Sequence, residues 1–140
     1  MNVSHVLTRS MVSVGVNETV LKAAKLMVQN NIGLLVVTET GLNLVGVISE
    51  RDIIRMIASG DRLETPVGKV CTRNVVTIRA DSDVAEAAKA MNKHGIRHVV
   101  VVDDHKTPTG VVSMRDLVGE RATLTAILRS DEKEVFHGAD

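Results

Sequence analysis

The chain carries the same pattern twice. Gly46-Val47-Ile48-Ser49-Glu50-Arg51-Asp52 returns as Gly110-Val111-Val112-Ser113-Met114-Arg115-Asp116, at an offset of 64 residues. That offset also pairs Val6-Leu7-Thr8-Arg9 with Val70-Cys71-Thr72-Arg73. It pairs Val20, Ala23, Ala24, Lys25 and Met27 with Val84, Ala87, Ala88, Lys89 and Met91, and Ile32, Val36 and Val37 with Ile96, Val100 and Val101. The register holds without a gap from Val6 to Asp116, through two helical patterns and several strands. Such self-similarity marks repeated supersecondary units that bury their apolar faces against each other. One unit of about 60 residues buries too small a share of its surface to be stable alone. Two copies are therefore expected to pack sheet on sheet, with pseudo-twofold symmetry inside the chain.

Each copy reads as strand, helix, strand, strand, helix. A short apolar strand, Val12 to Val14 or Val75 to Ile78, leads to a polar helix cap, Asn17 or Asp81. In the first copy Val20, Ala23, Ala24, Met27 and Val28 then fall on one helical face, while Lys22, Lys25 and Gln29 fall on the other. The runs Leu34 to Val37 and His98 to Val102 lack polar alternation, as expected of strands covered on both faces. Polar loops, Thr38 to Asn43 and Asp103 to Pro108, predict hairpins into the strands that end at Ser49 and Ser113. The fold class is α+β. Residues 1–65 form the first repeat with its lead segment, 66–129 the second, and 130–140 a charged, flexible tail, in which Val135-Phe136 could tether a partner chain.

Composition narrows the functions. Lys+Arg and Asp+Glu number 17 each, so bulk charge offers nothing to nucleic acid, which is an unlikely partner. There is no Trp or Tyr and a single Phe136, so no platform exists for stacking bases. Apolar runs are too short to span a membrane, and the N-terminus lacks the pattern of a signal peptide. The one cysteine, Cys71, permits no internal disulfide and suits a reducing cytoplasm, as a small half-buried hydrophobe. His5, His94, His98, His105 and His137 show no metal-ligand spacing. No phosphate-binding Gly-rich loop and no nucleophile–base set is present, so no catalysis and no required cofactor are expected.

What remains is the repeated Ser-x-x-Asp corner. Ser49 with Asp52, and Ser113 with Asp116, stand where a strand ends and a helix begins, beside N–H groups the helix cannot satisfy itself. Two uses are open. The pair can simply cap its helix, or the carboxylate can accept hydrogen bonds from both hydroxyls of a sugar diol, with the N–H groups near an anion. Arg51 and Arg115, next to the carboxylates, can add charge or form solvent salt bridges.

The doubled Gly-x-x-Ser-x-x-Asp pattern, with Gly95-Ile96-Arg97-His98 entering a Val-rich strand, resembles a pair of CBS (cystathionine beta-synthase) domains, often called a Bateman module. The resemblance covers about Leu7 to Leu128. It implies two β-α-β-β-α units forming a compact body with two clefts, and commonly a homodimer of such pairs. It implies a regulatory binder of AMP, ADP, ATP, S-adenosylmethionine or a related adenosyl compound, acting on an unidentified partner. In the main cleft it groups the ribose-binding Asp52, with Ser49 and Arg51, against Thr72, Arg73, Val76, Ile96, Arg97 and His98 of the other unit. Arg97 and His98 would hold phosphate, for which an Arg fork is well shaped. Thr72 to Val76 would lie near the adenine. The second cleft would join Ser113, Arg115 and Asp116 to Thr8, Val12, Ile32, Gly33 and Leu34. Lacking the Arg-His pair, it would bind weakly, take a ligand without phosphate, or stay empty. A constitutive scaffold without small-molecule control is the competing expectation.

Overall fold

A computed structural model describes residues 1–7, 11–40 and 43–119. The first repeat consists of β1 (Ser13–Gly15), α1 (Val20–Asn30), β2 (Leu34–Thr38), β3 (Leu44–Ser49) and α2 (Glu50–Ala58). The second consists of β4 (Thr77–Arg79), α3 (Val84–His94), β5 (His98–Val102) and β6 (Pro108–Ser113), with residues 114–119 helical. This is the expected α+β pair of β-α-β-β-α units. Each unit builds one sheet, ordered β1-β2-β3 or β4-β5-β6. The first two strands run parallel across the helix crossover, and the last two form an antiparallel hairpin. Both hairpins shift register at equivalent points, Val37/Thr38 and Val101/Val102.

The unbroken Val runs are explained by two buried layers. Leu35 and Val37 point into the core of the first repeat with Val20, Ala23, Met27 and Ile48. Val99 and Val101 do the same in the second with Ala87, Met91 and Val112. Their neighbours Val36, Val100 and Val102 fill a third layer with Met11, Leu44, Val47, Val75 and Val111 from both sheets. Alternate side chains of one strand thus serve two cores, and the repeats pack sheet to sheet.

Local details differ from the sequence reading. The N-caps are Thr19, accepting from Lys22 N at 3.1 Å, and Asp83, accepting from Ala85 N at 2.8 Å, rather than Asn17 and Asp81. Asp81 instead pairs with Arg79 at 3.1 Å. The later residue wins because the cap must precede the first helical residue. Val28 is 82% exposed. At 3.6 residues per turn, roughly 80° separates it from Val20, which puts it past the rim of the stripe. Thr38 is the buried last residue of β2 rather than the start of a loop. Asn31 and Gly95 close α1 and α3 at one equivalent left-handed position, φ 52° and 63°. Asn and Gly are the residues that adopt it readily.

The lead segments cross over. Residues 1–7, expected to accompany the first repeat, pack on the second, where Val3 is fully buried among Ala87, Met91 and Val112. Residues 65–72 pack on the first, with Val67 fully buried there. The contacts repeat at the sequence offset. Val3 N donates to Ser82 O at 2.8 Å as Val67 N does to Glu18 O at 2.8 Å. Val84 N donates to Met1 O at 3.1 Å as Val20 N does to Thr65 O at 2.9 Å. This exchange is the pseudo-twofold axis in residue-level form. Equivalent lead segments fit either repeat equally well, so the pattern alone could not say which one each would cover. The helix expected to continue to Arg129, and the tail 130–140 with Val135-Phe136, lie outside the described residues.

Candidate functional site

Ser49 ends β3 and caps α2. Its Oγ accepts from Asp52 N at 3.1 Å, and Asp52 Oδ2 accepts from Ser49 N at 2.9 Å, a reciprocal capping box. The second repeat copies it: Ser113 Oγ accepts from Asp116 N at 3.1 Å, and Asp116 Oδ2 from Ser113 N at 2.8 Å. The capping use is therefore real at both corners. It does not exhaust a carboxylate, which has two oxygens and about four acceptor sites. Asp52 Oδ1 meets Thr72 Oγ1 at 3.5 Å and Arg55 Nη1 at 4.0 Å, with the Asp52 side chain only 11% exposed. The Thr72 contact is long for a hydroxyl donor, so a ligand hydroxyl could improve on it.

Thr72 reaches this corner because residues 65–72 dock on the first repeat. Thr72 and Val47 exchange backbone hydrogen bonds at 2.8 and 2.9 Å. Gly46 makes that approach possible. A Cβ there would collide with the Thr72 carbonyl oxygen and stand 3.1 Å from Cys71 Sγ. Gly110 plays the same part, its missing Cβ leaving room for Leu7 Cδ2. The glycine of the doubled motif is thus a close-approach residue. Cys71 is half-buried, its thiol pKa raised chiefly by burial.

The strand-entry residues sit beside the corner of their own repeat. Leu34 pairs with Ser49 and Gly33 O accepts from Glu50 N at 3.0 Å. His98 pairs with Ser113 and Arg97 O accepts from Met114 N at 2.8 Å. These are backbone pairings within each hairpin, and they leave the expected grouping of Asp52 with Arg97 and His98, and of Asp116 with Gly33 and Leu34, as a matter of how the two sheets face each other. By backbone register the basic pair neighbours Ser113 and Met114. A hairpin necessarily sets the start of one strand against the end of the next. His98 is half-buried, and its pKa is held below the ordinary 6.5. Burial is the main cause, Asp116 opposes it, Arg97 adds to it, and Glu50 opposes it. Glu50 of the first repeat therefore lies within electrostatic reach of the second corner.

The other candidates divide. Arg73 Nη2 donates to Gly68 O at 2.7 Å and so braces the lead segment. Val12 and Val76, partly buried, pack against the cores of their repeats, as does Ile32. Ile96 is exposed, as are Arg51 and Arg115 on their helices. Thr8 lies outside the described residues. Glu50 was not singled out from the sequence. Its carboxylate lies over Gly33, in the space a side chain there would need. The offset contained the signal: Gly33 and Glu50 align with Arg97 and Met114, a reversal of charge at equivalent positions. Among the described residues no group of three or more His, Cys, Asp and Glu could hold a metal, and no helix is long and apolar enough to cross a membrane.

The sequence matches a family model described as "CBS domain" twice, over residues 3–59 and 67–122. It is 33% identical to the CBS domain-containing protein YhcV of Bacillus subtilis over 117 residues, 83% of this chain and 82% of that protein. Among solved structures it resembles a CBS domain protein of Pyrobaculum aerophilum complexed with AMP. That match has 35% identity and a TM-score of 0.80, and covers 92% of this chain and 99% of that one. It also resembles the CBS domain pair of protein MJ0100 in complex with 5′-methylthioadenosine and S-adenosyl-L-methionine. Identity there is 30% and the TM-score 0.78, with 84% and 96% of the two chains covered.

Proposed function

The chain belongs to the CBS-domain family, as two such domains in tandem, and from that premise we propose that it is a regulatory module that binds adenosyl ligands at its two Ser-x-x-Asp corners and signals by a change of shape or assembly. One observation carries this: Asp52 is fixed by its capping box, yet its second oxygen is committed only to a long contact with Thr72 and an exposed arginine. A rigid, largely buried carboxylate oxygen at a helix start suits a ribose diol, whose two hydroxyls can both donate to it. The adenosine compounds bound by two similar structures support the ligand class. In the main cleft Asp52 would take the diol while Arg97 and His98 of the other repeat meet phosphate, which makes an adenine nucleotide such as AMP the expected ligand there; the electrostatic reach of Glu50 to His98 supports that nearness. With no aromatic platform, the base would lie against aliphatic side chains and be read by backbone groups near residues 72–76 and 8–12.

Assembly is the proposed output. Ile54 and Ile57 are exposed on α2, and Val118, equivalent to Ile54, is exposed on the helical residues after Asp116. A second copy of the chain would cover this symmetric apolar face, giving a cytoplasmic homodimer that presents a regulated surface. Calorimetric titration with AMP tests the ligand reading. Wild type is expected to bind it, and Asp52→Asn to bind it at least tenfold more weakly. An unchanged affinity in that variant would exclude the diol contact. A constitutive dimeric scaffold would instead show no thermal shift with any adenosine compound, since a ligand specific for the folded state must stabilise it.

A further inference from the structure

The first helix of the duplicated fold carries an outward apolar stripe that its counterpart lacks, and we propose that residues 131–136 of the same chain dock on it, strapping the second repeat to the first. On α1, Leu21 is 40% exposed and Val28 82%. At about 100° per residue they stand roughly 20° apart around the helix axis, with Lys25 roughly 40° from Leu21. Leu63, also exposed, is held at the N-terminal end of this stripe, where Leu21 N donates to its carbonyl oxygen at 3.0 Å. Lys22 is exposed beside it, and α1 contains no acidic residue. The 64-residue offset shows that this face belongs to the first repeat alone. Leu21, Lys22 and Val28 align with Ala85, Glu86 and Asn92 on α3. The buried positions are kept, Ala23 with Ala87 and Met27 with Met91, so the shared core does not ask for the change.

Charge and reach select the occupant. The segment Asp131-Glu132-Lys133-Glu134-Val135-Phe136 brings three carboxylates and one ammonium group, followed by an apolar pair that holds the chain's only aromatic side chain. Its apolar pair complements Leu21 and Val28, and its carboxylates complement Lys22 and Lys25. Both apolar surfaces gain by leaving water together. The described residues end at Gly119 in the second repeat, 17 residues before Phe136. At about 3.3 Å per residue that length reaches about 55 Å. A folded body of this size has a radius of gyration of about 14 Å, so α1 of the same molecule lies within reach. A short tether also holds the segment at an effective concentration on the order of millimolar, so a contact too weak to join two separate molecules is populated within one. The contact does not depend on ligand binding.

The chain has no Trp or Tyr, so Phe136→Trp in the full-length protein gives a single fluorophore at the proposed contact. Its emission and its quenching by acrylamide are compared with those of a free 130–140 peptide carrying the same substitution, with thermal melts to verify folding. The docked Trp should emit to the blue of the peptide and be quenched several-fold less, and dilution should change neither reading. Val28→Asp, at a position exposed enough to spare the fold, should return both readings to those of the peptide. Lys25→Glu should move them in the same direction, and Asn92→Asp, the equivalent change on α3, should leave them docked. Peptide-like readings without any change on α1, a docked Trp indifferent to Val28→Asp or Lys25→Glu, or a docked reading lost on dilution would each overturn the proposal. So would a fall in sedimentation mass on Val28→Asp with the Trp readings unchanged, which would assign the stripe to a second copy of the chain.

Discussion

Asp52 holds a helix and, by proposal, a sugar, and its two oxygens allow these uses to be separated. Oδ2 accepts from Ser49 N at 2.9 Å, while Oδ1 stands 3.5 Å from Thr72 Oγ1. Asp52→Ala removes both. Losing a helix-end side-chain bond of this kind costs about 1 kcal/mol. For a chain of this size that lowers Tm by about 3–6 °C. Asp52→Asn keeps an oxygen for the Ser49 N–H and loses only the charge and one acceptor, so its Tm should fall by no more than half as much. Ligand binding should not show that difference. Either variant lacks the carboxylate that accepts from a diol, and charge-assisted hydrogen bonds are worth about 1.5–3 kcal/mol. Both should therefore lose about tenfold to 150-fold in affinity for 5′-methylthioadenosine. Thermal melts without ligand and calorimetry with it give the two numbers independently. If Asp52→Asn keeps wild-type affinity, or if affinity follows Tm across the two variants, the carboxylate is a cap and nothing more.

Other consequences follow from the same geometry. Gly46→Ala places a methyl against the Thr72 carbonyl, so the Val47–Thr72 pair must open; a loss of about 1–3 kcal/mol in denaturant unfolding is expected, and a neutral result would contradict the close approach. Val3→Ala and Val67→Ala each remove a fully buried side chain from an equivalent crossed-over segment. Each should cost about 2 kcal/mol, and a loss below 0.5 kcal/mol for Val3 would mean that the N-terminal segment does not dock. His98 titrates below 6.5 in the folded state, so the unfolded chain binds the extra proton first. Its stabilising contribution is present above 6.5 and is lost as pH falls through 6.5 toward the folded value. Stability curves of wild type and His98→Asn should converge on acidification through that window; parallel curves would show that His98 is not buried as neutral imidazole.

The fold was legible because the residues that define it depend on local pattern. The Val runs announced strands with two covered faces, and the doubled corner announced where each helix starts. The capping box could be written from Ser49 and Asp52 alone, because both partners lie within one turn. What sequence could not resolve was choice between equivalents. Val3 and Val67 are interchangeable by pattern, so nothing local says that each lead segment covers the other repeat. Thr19 and Asn17 are both good caps, and only the position of Val20 as the first helical residue decides between them. The backbone register of His98 against Ser113 was readable, since a hairpin fixes its own pairing. Glu50 went unread because its place over Gly33, within electrostatic reach of His98, depends on how the two repeats pack.

The most direct test is to purify the protein under native conditions, denature it, and identify by mass spectrometry the small molecules it releases, then to add adenosyl compounds back to the stripped, refolded protein in a thermal melt. Release of an adenosine compound, or a rise in Tm with AMP or 5′-methylthioadenosine that Asp52→Asn and Asp116→Asn together abolish, is the predicted result. Stripped protein that is folded yet whose Tm is unmoved by every adenosine compound would contradict it.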